Sequence, residues 1–231
     1  LLYINIKEGE KMNELILLIE IIVTFFALIM ANKLYGKNGL YFWLIISIIA
    51  STILSVKTVI IFKYEVSLGI VPYVSNFICM NILVQKYGTE QNRKIVICSI
   101  MSLIFSYFLI VILNNCSIDY INLENNEAFI NVFKLDIIKC IAFVIAYIAS
   151  ILANIELYYQ IRKTKNKIWI SNLISTIIIQ FTDTVLYSII AYLVFADIKF
   201  FVFSIIITTI IKYIVGIIGT GAIYICKKIE D

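Results

Sequence analysis

The stretch that decides the fold is WISNLISTIIIQFTDTVLYSIIAYLVF, residues 169–195. It exceeds the roughly 20 mostly apolar residues that a helix needs to cross a bilayer. Its polar members are not scattered. Asn172, Thr176, Gln180, Asp183 and Tyr187 follow one another at steps of four, four, three and four. That spacing places them on one face of a helix, and isoleucine and leucine fill the rest. A lipid-bathed helix turns a single polar stripe towards protein, so the segment predicts a bundle of spanning helices with a polar interior. Hydrogen bonds between helices, each contributing about 0.6 kcal/mol, would account for the neutral members. Asp183 needs more: an ionisable side chain at mid-membrane costs roughly 2.5–3.5 kcal/mol on insertion scales and faces a cavity or a partner. The stripe therefore points to a ligand or ion site.

The whole chain shares this character. Of its 231 residues, 62% are hydrophobic and 15% charged, with a mean hydropathy of +0.99. A soluble domain is nearer 45–50% apolar and about 25% charged. The excess excludes a soluble domain, a disordered chain and a basic nucleic-acid-binding module. Continuous apolar runs, a single proline and eight glycines exclude a membrane β-barrel, whose strands alternate apolar and polar residues. The fold class is all-α, a polytopic helical membrane bundle. The chain has no histidine, which removes HExxH zinc sites and histidine-activated nucleophiles. No Walker A motif, haem, iron–sulfur or zinc ligand set is present, so no cofactor and no enzymatic activity are expected. The five cysteines, Cys79, Cys98, Cys116, Cys140 and Cys226, show no CxxC spacing. They read as small apolar residues, with only Cys116 in a loop.

Seven apolar runs are candidate spans, at about 15–31, 40–62, 66–85, 95–114, 135–157, 169–195 and 200–225. The polar start LLYINIKEGEK reads as extra sequence ahead of an internal start at Met12. Residues 1–30 form an N-terminal segment with its own spanning helix, and residues 31–231 a six-helix membrane domain. One set of loops holds Lys33, Lys37, Lys86, Arg93, Lys94, Arg162, Lys163, Lys165, Lys167, Lys227 and Lys228. The alternating set holds Lys63 and Lys199, with Lys134 at a helix boundary, and Glu65, Asp119, Glu124, Glu127 and Asp197. The positive-inside rule then makes the C-terminus cytoplasmic, the loop at about 115–133 external and the N-terminus external.

Other polar residues interrupt these runs. Lys212 sits mid-way along the last span, sharing a face with Thr208, Gly216 and Gly219. A buried lysine needs a partner; Asp183 is the first candidate and Glu156 the second. Lys57 lies in the second span, within reach of the outer surface by snorkelling. Gly69 and Pro72 fall within one turn of SLGIVPY, which allows either a kinked helix start or a broken segment lining a cavity. Asn81 and Asn154 each precede a basic loop. Tyr147, Ser150, Asn154 and Tyr158 share a face of the fifth span.

Several ordered blocks carry a family resemblance. They are ANKLYGKNGLYFW at 31–43, SLGIVPY at 67–73, NILVQKYG at 81–88 with Arg93 and Lys94 after it, KTKNKIWISNLIST at 163–176, QFTDT at 180–184, and TTIIKYIVG at 208–216. Together they span roughly residues 31–228, and the chain resembles the queuosine precursor transporters, also called vitamin uptake transporters. The resemblance implies an inner-membrane importer of queuine or its 7-deazaguanine precursors for tRNA modification, with a six-helix core. Gln180, Asp183 and Lys212 keep the family's residue types. An aspartate is usual in the family where Asn81 and Asn154 stand, and an acidic residue followed by Thr-Pro is frequent where this chain has Gly219, Thr220 and Gly221.

The chemistry is compatible with that reading. A guanine-like edge offers adjacent N–H donors and a carbonyl acceptor, and a carboxylate such as Asp183 accepts two donors. Gln180, Asn81 or Lys212 would meet the carbonyl or ring nitrogen, with Asn154 and Lys57 as further polar candidates. Tyr73, Phe181 or Tyr213 would stack on the ring. The expected partners are a purine-like small molecule and the lipid bilayer, and no nucleic acid; a homodimer and a proton as coupling ion stay open. A substrate-binding membrane subunit of an ATPase-coupled vitamin-type transporter is the alternative to a secondary transporter, and a non-transporting scaffold is a third reading.

Overall fold

A computed structural model describes residues 2–62, 64–116, 123–133, 137–165, 167–192 and 198–229. The apolar runs fold into helices and the polar breaks between them into turns. In order, the elements are α1 (Leu2–Leu54), β1 (Thr58–Ile61), β2 (Tyr64–Ser67), α2 (Ile70–Tyr87), α3 (Glu90–Asn114), α4 (Leu123–Val132), α5 (Ile137–Thr164), α6 (Ile168–Tyr192) and α7 (Ile198–Lys228).

α1 is two helices joined at Gly36, whose φ of 53° and ψ of −128° are not helical and suit a residue without a Cβ. The chain folds back there. A Cβ built on Gly39 would lie 1.9 Å from the carbonyl oxygen of Ala31, eight residues earlier, which a straight helix holds about 12 Å away. Asn13 Nδ2, about a third of the way along the first half, donates to Ile60 O just beyond the end of the second at 3.0 Å. The two halves therefore run antiparallel, and they correspond to the spans expected at 15–31 and 40–62.

The second of these helices is shorter than its apolar run. It ends at Leu54, and the apolar run beyond it forms β1, paired antiparallel with β2 from Thr58↔Ser67 to Ile61↔Tyr64. Lys57 is accordingly not in a span; it stands exposed in the turn before β1. Of the two readings of Gly69 and Pro72, the structure has the helix start and not the broken segment. α2 runs unbroken from Ile70, and Pro72 falls in its first turn, where backbone N–H groups have no intrahelical partner to lose. Gly69 permits a close approach: an added Cβ would meet Ser51 O at 2.4 Å, while Ser51 Oγ donates to Gly69 O at 2.8 Å.

Five helical stretches are long and apolar enough to cross a membrane: Lys11–Leu54, Asn92–Asn114, Ile137–Thr164, Ile168–Tyr192 and Phe201–Lys228. They present a wide apolar exterior that includes Phe26, Phe105, Phe108, Ile177 and Ile217, far more than a water-facing surface carries. The chain is a multi-pass membrane protein. α2 is not among the five, and its surroundings explain why. Every residue from Ile70 to Val84 is buried, against α1, α5 and α7. A helix enclosed by protein need not be apolar all round. α6 packs between α5 and α7, and α3 against α1 and α5.

The basic loops converge on one end of the bundle. Lys86 Nζ donates to Ile229 O at 3.1 Å, Arg162 Nε to Gln85 Oε1 at 2.7 Å, and Lys37 Nζ lies 5.0 Å from the Tyr87 ring centroid. Glu156, the second partner considered for Lys212, instead pairs with Arg93 at this end. The β-hairpin lies at the opposite end, and α4 falls within the loop expected at about 115–133. Lys63, Asp119, Lys134 and Asp197 lie outside the described residues. The fold-back at Gly36 makes a prediction. Gly36→Val imposes a strained backbone costing about 1–3 kcal/mol, so the purified variant should unfold at a lower temperature in detergent than wild type. An unchanged unfolding curve would show that the turn does not require glycine.

Candidate substrate site in the helical core

α6 turns its polar stripe inward, as its spacing requires: Asn172, Thr176, Gln180 and Asp183 are all buried. Asp183 Oδ2 accepts from Lys212 Nζ on α7 at 2.6 Å, and Oδ1 accepts from the Tyr73 hydroxyl on α2 at 2.7 Å. Lys212 also donates to Thr184 Oγ1 at 3.1 Å, and its ammonium lies 4.8 Å from the Tyr73 ring centroid, within cation–π range. Asp183 is 2% and Lys212 6% exposed. One carboxylate thus binds three helices, with both of its oxygens engaged. Buried charges persist when they are paired and hydrogen-bonded, and both conditions are met.

Aromatic rings extend from the pair. Tyr73 stands 5.3 Å from Phe77, 5.2 Å from Phe143 and 6.1 Å from Tyr147, all centroid to centroid, and Phe143 stands 6.5 Å from Tyr187. Gln180, one turn from Asp183 towards the basic end, is 1% exposed. Its Oε1 has no hydrogen-bond partner. Ser150 Oγ on α5 and Thr209 Oγ1 on α7 are also buried without a partner. Buried polar atoms are nearly always satisfied, so these three make the region short of donors and acceptors.

A second polar feature lies nearer the basic end. Asn154 Nδ2 donates to Asn81 Oδ1 at 2.8 Å, and Asn81 Nδ2 to Asn172 Oδ1 at 2.8 Å. Asn172 Nδ2 donates to Thr220 Oγ1 at 2.8 Å and to Gly216 O at 3.3 Å. This amide line ties α5, α2, α6 and α7 in sequence. Asn172 and Asp183 are eleven residues apart on α6, which separates the two features by about 16 Å. Beyond the amide line, a cavity of about 310 Å³ is lined by Val84, Gln85, Tyr159, Arg162 and Lys163 at the basic end.

The residues singled out in sequence separate into four places. Tyr73, Gln180, Asp183 and Lys212 stand on the inner faces of α2, α6 and α7 around the ion pair, and Asn81 and Asn154 belong to the amide line. Lys57 is remote, exposed in the turn before β1. Phe181 is 51% exposed: one residue past Gln180 rotates it about 100° off the polar stripe and onto the outer surface. Tyr213, next to Lys212, is displaced in the same way; it is half-buried, and its hydroxyl donates to Ile177 O at 2.8 Å. Neither can stack on a ligand in the core. One polar node escaped the sequence reading. Asn76 Nδ2 donates to Leu44 O at 2.7 Å and to Ser47 Oγ at 3.0 Å, while Asn76 Oδ1 accepts from the Tyr147 hydroxyl at 3.0 Å. An asparagine inside the apolar run of SLGIVPYVSNFICM was the available signal.

These features define a multi-pass membrane protein with a charged, protein-enclosed site. The sequence profile of a family described as "Putative vitamin uptake transporter" matches residues 67–226, a stretch that contains the ion pair, Tyr73, Gln180 and the whole amide line. The chain belongs to this vitamin uptake transporter family. A Bacillus subtilis (strain 168) protein named "Probable queuosine precursor transporter" is 27% identical over 215 residues, which cover 90% of this chain and 91% of that protein. No solved structure matches the chain.

The ion pair makes a stability prediction. Asp183→Asn leaves the Lys212 ammonium buried without its counter-charge, a loss of about 3–5 kcal/mol. Adding Lys212→Met removes the stranded charge and should restore most of that loss. A double-mutant cycle of detergent-solubilised unfolding measures both effects, and additive losses would show that the two groups are not coupled.

Proposed function

We propose that this protein imports queuosine precursors, 7-deazaguanine bases, across the membrane as a secondary transporter, with Tyr73, Gln180, Asp183 and Lys212 forming the substrate site. The observation that carries the reading is the enclosed carboxylate–ammonium pair beside a cluster of aromatic rings and an unpartnered buried amide oxygen. A purine-like base offers N–H donors on its edge for the Gln180 oxygen and for Asp183, a carbonyl for Lys212, and a flat face for Tyr73, Phe77 and Phe143. The name of the Bacillus subtilis relative supports the substrate class. The amide line through Asn81 and Asn154 lies on the route from this site to the basic end.

The topology follows the same reading. The halves of α1 together with α2, α3, α5, α6 and α7 each cross once. Segment 1–30 contributes a helix added to the six-helix domain 31–231. The basic end with its C-terminus is cytoplasmic, because lysine and arginine are retained on that side. The β-hairpin and α4 are then external.

Uptake by the purified protein alone in vesicles tests the transport mode: accumulation of a labelled 7-deazaguanine base without an added ATPase is the expected result, and dependence on one would refute it. Within the same assay, Asp183→Asn and Lys212→Ala should each abolish uptake with protein still present in the membrane. The Asp183→Asn/Lys212→Met double variant should regain stability and still fail to transport. Normal import by both single variants would remove these residues from the site.

A further inference from the structure

We infer that the site admits uncharged 7-deazaguanine bases and turns away those bearing an ammonium substituent; the inference rests on the functional reading above. The argument is one of charge balance. Among the described residues, the charged side chains classed as buried are Asp183 and Lys212, and they are bonded to each other. The pair at the site is therefore neutral before any substrate arrives. The second carboxylate oxygen accepts from the Tyr73 hydroxyl, and the single negative charge of Asp183 is already balanced by Lys212.

The remaining polar groups around the pair carry no charge. Gln180 and the amides of Asn81, Asn154 and Asn172 are neutral, and three of these amides are bonded in line. Glu20, the other acidic residue inside an apolar run, is half-buried on α1 and its Oε1 is buried without a hydrogen-bond partner; that oxygen bonds none of Tyr73, Gln180, Asp183 and Lys212, which bound the site on α2, α6 and α7.

An ammonium-bearing base therefore faces two unfavourable choices. It can displace Lys212 from Asp183 and strand the lysine, or it can remain unpaired itself. Either way one uncompensated cation occupies a low-dielectric interior. The cations gathered at the basic end add repulsion on the way through. An uncharged base adds no charge, and its N–H edge meets the unpartnered Gln180 oxygen.

Isothermal titration of the purified full chain in detergent at pH 7, with 7-cyano-7-deazaguanine and 7-aminomethyl-7-deazaguanine, tests this. The primary amine is protonated at that pH, like a lysine. The cyano base should bind at least tenfold more tightly. Asn81→Asp or Asn154→Asp, each of which adds a carboxylate to the buried amide line, should narrow that ratio at least threefold. Equal or tighter binding of the aminomethyl base by wild type would overturn the inference and leave the functional reading standing. An unchanged ratio in both folded aspartate variants would also overturn it, because charge balance would not be its cause. If neither variant folds, the wild-type ratio decides. Binding of neither base would overturn the functional reading, and the selectivity with it.

Discussion

The bond between Lys212 and Asp183 is the constraint on which the rest of the core depends. Neither group can stand alone away from water, so α6 and α7 must present these two positions to each other at one depth. Tyr73 then sets the place of α2 by taking the other carboxylate oxygen. Close packing follows from the same demand. Gly216, one turn beyond Lys212, lets Thr176 of α6 approach, and a Cβ there would lie 2.6 Å from Thr176 Cγ2. Gly219 does the same for Phe25 of α1 and Ile78 of α2. Small residues on α7 thus bring the helices near enough for a short ionic contact, as they do generally where membrane helices meet closely.

Two polar levels divide the interior between them. The upper one is charged, aromatic and incompletely satisfied. The lower one is neutral, and its amides are bonded from helix to helix. Satisfied buried networks rigidify, whereas unsatisfied groups await a partner. This difference separates a level suited to holding a molecule from a level suited to holding helices together. The same four helices contribute to both, so a change at one level reaches the other through rigid elements about 16 Å long.

Much of this was legible in the sequence. The polar stripe of residues 169–195 gave the inward face of α6, and a lone lysine in an apolar run gave its partner helix. Charge counting in the loops picked out residues that do converge on one end, through Lys86, Arg162 and Lys37. What failed has a common cause. A short apolar run reads the same as strand or helix, so Thr58–Ile61 was drawn into a span and carried Lys57 with it. Phe181 and Tyr213 adjoin Gln180 and Lys212 along the chain, and on a helix a sequence neighbour points elsewhere. The node at Asn76 depends on the Leu44 carbonyl and on Ser47 from a helix folded back at Gly36, and no local pattern announces a contact of that range.

The enclosure of α2 has a consequence for how the protein is made. This helix meets protein over fifteen consecutive residues, Ile70 to Val84, and carries Asn76 and Asn81 within them. In lipid alone it would expose amides that hydrocarbon cannot solvate. Of the helices that enclose it, α1 precedes it in the chain; α5 and α7, which cover its other sides, follow later. About 110 residues separate the end of α2 from the start of α7, which at ribosomal rates of about 5–20 residues per second is on the order of ten seconds. For that interval the most central helix of the finished molecule is its least sheltered, and the insertion machinery must keep it beside α1 until the chain that completes its surroundings has emerged.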